Sequence, residues 1–144
     1  MPERHITVNS FKDLIVYQKA VDLSLLVLQA TRKFPKELKY DLGSQMRRAA
    51  ISIPSNITEG YRRMSRKEFI QFLSIAYGSC GELQSQTEIA IGLNLFPERE
   101  YVKIQALEVE ISKMLWAIID KLRGMEERRG GRAGGKRTNA RVHE

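Results

Sequence analysis

The chain has 144 residues, 42% hydrophobic and 28% charged, with a formal net charge of +7 at pH 7 and a sequence pI near 9.7. That length can bury a core unaided and the composition is ordinarily globular, which excludes wholesale disorder and a disulfide-stapled mini-protein. Cys80 is the only cysteine, so no internal disulfide and no cysteine-based metal site can form.

Ser10 and Asp13 suit the start of a first helix that runs to about Lys33. Its apolar residues fall in two adjacent stripes at helical spacing, Leu14, Tyr17, Val21, Leu25 and Leu28 beside Val16, Ala20, Leu23, Val27 and Ala30. So wide an apolar surface requires more than one neighbour. Phe34-Pro35 ends the helix, because proline disfavours the α conformation in the residue before it. After a turn through Tyr40, a second helix spans about Asp41 to Gly60, with Leu42, Met46, Ala49, Ile53 and Ile57 on one side. Pro54 inside it predicts a kink or break at the Ala50 carbonyl, with an extended Ile-Ser-Ile-Pro segment as the competing local reading.

Ser65 and Glu68 have the form of a capping box opening a third helix to about Leu93, with Phe69, Phe72, Leu73, Ala76, Cys80, Leu83, Thr87 and Ala90 inward. Ser74, Gly78, Gly81 and Ser85 make a second stripe on it. Mid-helix glycine costs about 1 kcal/mol relative to alanine, so the stripe predicts close approach of another backbone, from this chain or a second subunit. Pro97 suits the opening of a fourth helix, whose Ile104, Leu107, Ile111, Leu115, Ile118, Leu122 and Met125 approximate a heptad seam with Trp116 outside it. The pattern predicts an all-α, antiparallel up-down-up-down four-helix bundle over residues 11–125. A short N-terminal arm over 1–10 and a flexible basic Gly/Arg-rich tail over 126–144 flank it.

Little in this pattern is equipped for catalysis. His5 and His143 are the only histidines and fall in the two ends, which removes a histidine base and a Glu-x-x-His metal site. There is no phosphate-binding glycine loop and no GxSxG, and Cys80 lies on an apolar stripe as a packed thiol. A non-enzyme without cofactor or metal is expected. With no membrane span and no signal-peptide run at the start, the expected location is the cytoplasm.

The charge favours acidic partners, nucleic acid first. After Met125 six basic residues stand against three acidic ones, a net of +3, which leaves +4 in the body. Arg62, Arg63, Arg66 and Lys67 cluster at the turn between the second and third helices, as a phosphate-binding site or a solvated loop. Gln45, Arg48, Ser52, Asn56 and Glu59 form a polar stripe with Arg47 adjacent, which Glu82 and Gln86 could face. That stripe is a polar pocket or an RNA-contacting face, or else a satisfied hydrogen-bond network or arginines paired to carboxylates at a subunit interface.

The run from Gln45 through Arg47-Arg48-Ala49-Ala50 and Ile53-Pro54-Ser55-Asn56 to Glu59-Gly60, followed by Phe69, Phe72-Leu73-Ser74-Ile75-Ala76, Gly78-Ser79 and Glu82, resembles the bacterial four-helix-bundle proteins named for 23S rRNA intervening sequences. Phe11 through Tyr17 to Ala20 fits the family's opening, and the likeness covers about Phe11 to Met125. Tyr17 departs from the common tryptophan, Thr58 from the usual alanine, and the Gly/Arg tail is particular to this chain. The resemblance implies a left-handed bundle assembled as a closed homopentameric ring without known catalytic activity. A more distant similarity, to the accessory protein of diversity-generating retroelements, implies RNA or DNA and a nucleic-acid-processing protein as partners. The resulting expectation is a non-catalytic oligomer that binds nucleic acid, RNA foremost, through Arg47, Arg48, Arg62, Arg63, Arg66 and Lys67, with Ser74, Gly78, Gly81 and Ser85 between subunits. The alternative is an adaptor that docks a protein without nucleic acid.

Overall fold

The computed structural model describes residues 10–133, with side chains over 15–131. Helices α1 (Ser10–Arg32), α3 (Leu42–Arg62), α4 (Arg66–Gly92) and α5 (Glu98–Ala133) are long, and α2 (Lys36–Lys39) is a single turn between α1 and α3. The expected Ser10–Asp13 cap lies outside the described side chains, as do residues 1–9 and 134–144 of the expected arm and tail.

Pairs of contacts along each seam set the directions. Lys19 reaches Glu110 and Lys33 reaches Glu100, both at 2.8 Å, so α1 and α5 are antiparallel. Arg66 with Glu126 and Thr87 with Glu108 oppose α4 and α5, and Ser52 with Ser79 crosses the α3–α4 seam beyond its tight turn. Each long helix touches two others in the cyclic order α1, α3, α4, α5. The result is the all-α four-helix bundle.

Burial selects one of the two apolar stripes of α1. Val16, Ala20, Leu23, Val27 and Ala30 are buried, whereas Leu25 of the other stripe remains 51% exposed. Met46, Ile53 and Ile57 from α3, Leu73, Cys80 and Leu83 from α4, and Ile104, Ile111, Leu115 and Ile119 from α5 complete the core. On α5 the expected seam is shifted in places. Ile119 is inside while Ile118 is only half-buried, and a carboxylate, Glu108, occupies a core position.

The α3 helix is continuous through Pro54, so neither the break nor the extended segment forms. Proline lacks the N–H that would bond the Ala50 carbonyl. The Ser24 hydroxyl of α1 lies 2.9 Å from that carbonyl and 2.9 Å from its own Ala20 carbonyl. The orphaned acceptor is thereby served across the α1–α3 seam, in a place where Ala50 is fully buried.

Close packing explains how the turns are built. A Cβ on Gly60 would sit 2.9 Å from Phe69 Cδ1 and 3.2 Å from Phe72 Cβ, so only glycine lets α3 end against the start of α4. At the opposite end of the bundle Phe34 stacks on Phe96 at 5.8 Å, fastening the α1–α2 turn to the α4–α5 turn. Asn94 takes the left-handed conformation (φ 55°) there. Its N–H bonds Ile91 and that of Leu95 bonds Ala90, which closes α4 with a Schellman motif.

The α5 helix corrects the expected tail. It continues past Met125 to Ala133, so the first part of the segment from Glu126 is helical. Apolar periodicity reports burial, not helicity, and Glu126, Glu127, Arg128 and Arg129 are good helix formers that need no core to stay helical beside an established helix.

Candidate nucleic-acid interface

Ser65 begins α4 with its Oγ accepting the Glu68 N–H at 3.1 Å, half of the expected capping box. The Glu68 carboxylate turns instead toward Arg63, 3.8 Å away. Arg63 also pairs with Glu59 at 2.9 Å and lies 4.7 Å over the Phe72 ring. Its guanidinium is thus held between two acids and an aromatic face, which neutralises its charge locally. Arg66 pairs with Glu126 at 3.1 Å, and Arg47 donates to the Lys39 carbonyl at 3.1 Å.

Those contacts divide the six cations expected to bind nucleic acid. Arg47, Arg63 and Arg66 are engaged within the chain, while Arg48, Arg62 and Lys67 are exposed and have no ion pair among the described residues. Nor do the six form one patch. Arg48 and Arg62 share the outer face of α3 but lie about 21 Å apart at 1.5 Å per residue. Arg47 and Arg48 belong to one end of the bundle, and Arg62, Arg63, Arg66 and Lys67 to the other.

The structure adds a partner to the second group that periodicity gave no reason to include. Because α5 is long and antiparallel to α4, its last turns run beside the α3–α4 turn. Met64, Ser65, Arg66 and Lys67 face Glu126, Glu127, Arg129 and Gly130 across an open cleft. Arg128 and Arg129 are exposed without an ion pair among the described residues. The basic character of this end therefore comes from Arg62, Lys67, Arg128 and Arg129 together.

From Ser52 to Glu59 the polar stripe of α3 is hydrogen-bonded within the chain. Ser52 and Ser79 hydroxyls meet at 2.8 Å, and Asn56 Nδ2 donates to the Ser52 carbonyl and hydroxyl at 2.8 and 2.9 Å. Glu59 is taken by Arg63, and Gln86 donates to Glu82 along α4 at 3.2 Å. Of these bonds, that between Ser52 and Ser79 crosses the α3–α4 seam and the others join residues four apart along one helix.

The small-residue stripe of α4 faces outward. A Cβ added at Gly78 or Gly81 meets nothing within 4 Å, so no backbone among the described residues lies against them. Ser85 is exposed, and the half-buried Ser74 donates to its own Ile70 carbonyl at 2.8 Å. Exposed Ile75 and Ile89 border the stripe on one side, and the Tyr77–Trp116 ring pair, 5.7 Å apart, on the other.

Two ionisable groups are buried in the α4–α5 seam. Glu108 is 2% exposed and accepts one hydrogen bond, from the Thr87 hydroxyl at 2.7 Å. Burial pushes its carboxyl up to about 7, the Thr87 bond opposes this, and the charge of Glu88 adds to it. The Cys80 thiol, which donates to the Glu108 carbonyl at 3.3 Å, is pushed up to about 11 by burial and then by the Glu108 charge, against a lowering hydrogen bond from Ser112. A thiol so protonated is a poor nucleophile, consistent with its place in the core.

The family model for the 23S rRNA-intervening sequence protein matches residues 12–117. The chain belongs to that family. A solved structure from Bacteroides thetaiotaomicron, described as a protein of unknown function from the S23 ribosomal protein family, is similar to this chain at 28% identity and a TM-score of 0.70, over 76% of this chain and 98% of that one. No curated protein matches the sequence. Neither the family nor this neighbour indicates a class of catalysis. The matched region carries the α3 motif, the α3–α4 turn and the α4 stripe, and it ends before the last turns of α5. Among the described residues no helix is long and apolar enough to cross a membrane, and no group of three or more His, Cys, Asp or Glu side chains is placed to hold a metal ion.

Proposed function

We propose that this chain acts without catalysis, as an oligomeric cytoplasmic bundle that binds nucleic acid, RNA foremost, at its basic end. The supporting observation is that Arg62 and Lys67 stand exposed at the α3–α4 turn with no ion pair among the described residues, and that Arg129 lines the same cleft as Lys67. Unpaired surface cations attract phosphates and release their counterions, giving affinity that falls steeply with salt. Fluorescence anisotropy with a structured RNA between about 50 and 200 mM salt tests this. Binding should weaken across the range and weaken further in Arg62→Ala/Lys67→Ala; absence of binding at the lowest salt refutes it.

The open stripe on α4 favours assembly as the companion property. Gly78, Gly81 and Ser85, bordered by Ile75, Ile89 and the Tyr77–Trp116 pair, suit close approach by a second copy, and different patches meeting head to tail would close a ring. Five subunits is the number the family resemblance implies. Light scattering should give a multiple of 16.5 kDa; a monomer throughout the micromolar range overturns the assembly. The same face favours a second reading, an adaptor that docks a protein. A partner that stays bound through nuclease treatment, with no affinity for RNA, would select it.

A further inference from the structure

We infer that the projecting end of α5 is a phosphate-contacting arm, which takes the backbone of RNA without reading its bases. The inference rests on the nucleic-acid reading above and names the element that extends it. The α5 helix has 36 residues against 27 in α4 and 21 in α3, about 54 Å against about 40 and 32 Å. Its pairing marks where the bundle stops beside it. Glu126 is held by Arg66, the first residue of α4, and beyond that contact the described residues place the α3–α4 turn alongside α5. Residues Glu127 to Gly131 are all exposed.

The composition of this arm decides what it can grip. From Glu126 to Ala133 there is no apolar side chain larger than alanine and no aromatic ring. A protein interface draws its affinity from buried aromatic and aliphatic anchors, and single-strand binding draws on rings that stack on bases; the arm supplies neither. Charge is what remains. Arg66 neutralises Glu126, and of the exposed Glu127, Arg128 and Arg129, none of which has an ion pair among the described residues, the two arginines outweigh the one acid. Lys67 lines the cleft on the side of the α3–α4 turn and Arg129 on the side of α5, with Arg62 and Arg128 exposed at the same end of the bundle, so a phosphate chain can be held from two sides. Lys136, Arg137 and Arg141 carry positive charge onward in the sequence.

The test uses the full chain and a fluorescein-labelled RNA duplex of mixed sequence, with affinity measured from low to physiological salt. Arg128→Ala/Arg129→Ala touches no core residue, and an unchanged circular dichroism spectrum and melting temperature confirm that the fold is intact. The double variant should reduce the slope of log affinity against log salt by about 1.4 to 1.8, the loss of two phosphate contacts at 0.7 to 0.9 each. The loss should be equal for duplexes of different sequence. An unchanged slope, with Arg62→Ala/Lys67→Ala still lowering it, overturns the arm and leaves the nucleic-acid reading standing. A loss confined to one sequence overturns it in favour of base recognition. If the unmodified chain binds no RNA at low salt while an acidic protein binds through the arm, both readings fall.

Discussion

Pro54 interrupts the hydrogen-bond ladder of α3 in the middle of the core, and the repair comes from another helix. Removing Ser24 by substitution to alanine leaves the Ala50 carbonyl, fully buried, without its 2.9 Å donor. An unsatisfied buried acceptor costs about 1–3 kcal/mol, and for a chain of this size that lowers the melting temperature by roughly 3–4 °C per kcal/mol. Loss of the hydroxyl alone does not prove the pairing, because Ser24 also lies 2.9 Å from Ala20's carbonyl. The decisive experiment is a double-mutant cycle with Pro54→Ala, in which an alanine N–H can bond the Ala50 carbonyl from within α3. Ser24→Ala should then be milder by about 1 kcal/mol, a coupling well above the 0.3–0.5 kcal/mol scatter of independent sites. Urea unfolding of the four proteins measures it. Additive changes would refute the claim that Ser24 stands in for the missing proline donor.

Glu108 makes stability pH-dependent in the opposite sense to a salt-bridged carboxylate. Its folded pKa near 7 exceeds the ordinary 4.5, so the contribution is complete below about pH 4.5 and is lost as pH rises through 7, on the order of 3 kcal/mol in all. Melting temperatures from pH 5 to 8.5 should flatten in Glu108→Gln, and an equally steep variant would refute the assignment. Gly81→Leu should stabilise the isolated chain by about 1 kcal/mol through helix propensity, since its side chain enters open space. If the α4 stripe lies between subunits it should also dissociate the oligomer; light scattering that shows an intact assembly places the interface elsewhere. Gly60→Ala should destabilise by about 1–3 kcal/mol through overpacking against Phe69 and Phe72, and a neutral effect on denaturant unfolding would mean that the two rings yield freely. Thiol labelling of Cys80 at pH 8 should proceed only as fast as the bundle opens, and rapid labelling of the native chain would contradict its burial.

Local chemistry was enough to read the bundle from the residues. Proline at 35 and 97, the Ser65 cap and apolar residues at helical spacing are short-range signals, and they placed four long helices and most of the buried side chains. The same signals misjudged α5, where Glu108 is buried, Ile119 replaces Ile118 inside, and the helix persists to Ala133. A periodic stripe indicates which side of a helix is apolar but not the rotation at which its neighbours clasp it, and it falls silent where a helix has no neighbour. Charge clustering likewise located the α3–α4 turn. It did not reveal that Arg63 and Arg66 are occupied by Glu59, Glu68 and Glu126, or that Arg128 and Arg129 arrive from the far end of the sequence. Pro54 could be seen to orphan the Ala50 carbonyl, but not that Ser24 would answer it, 26 residues earlier. The sequence by itself determined helix formation and amphipathic character, because both depend on residues within a turn or two. Tertiary structure decided which cations remain free, which carboxyl is buried and which glycines face open space, because each depends on what a distant segment brings alongside.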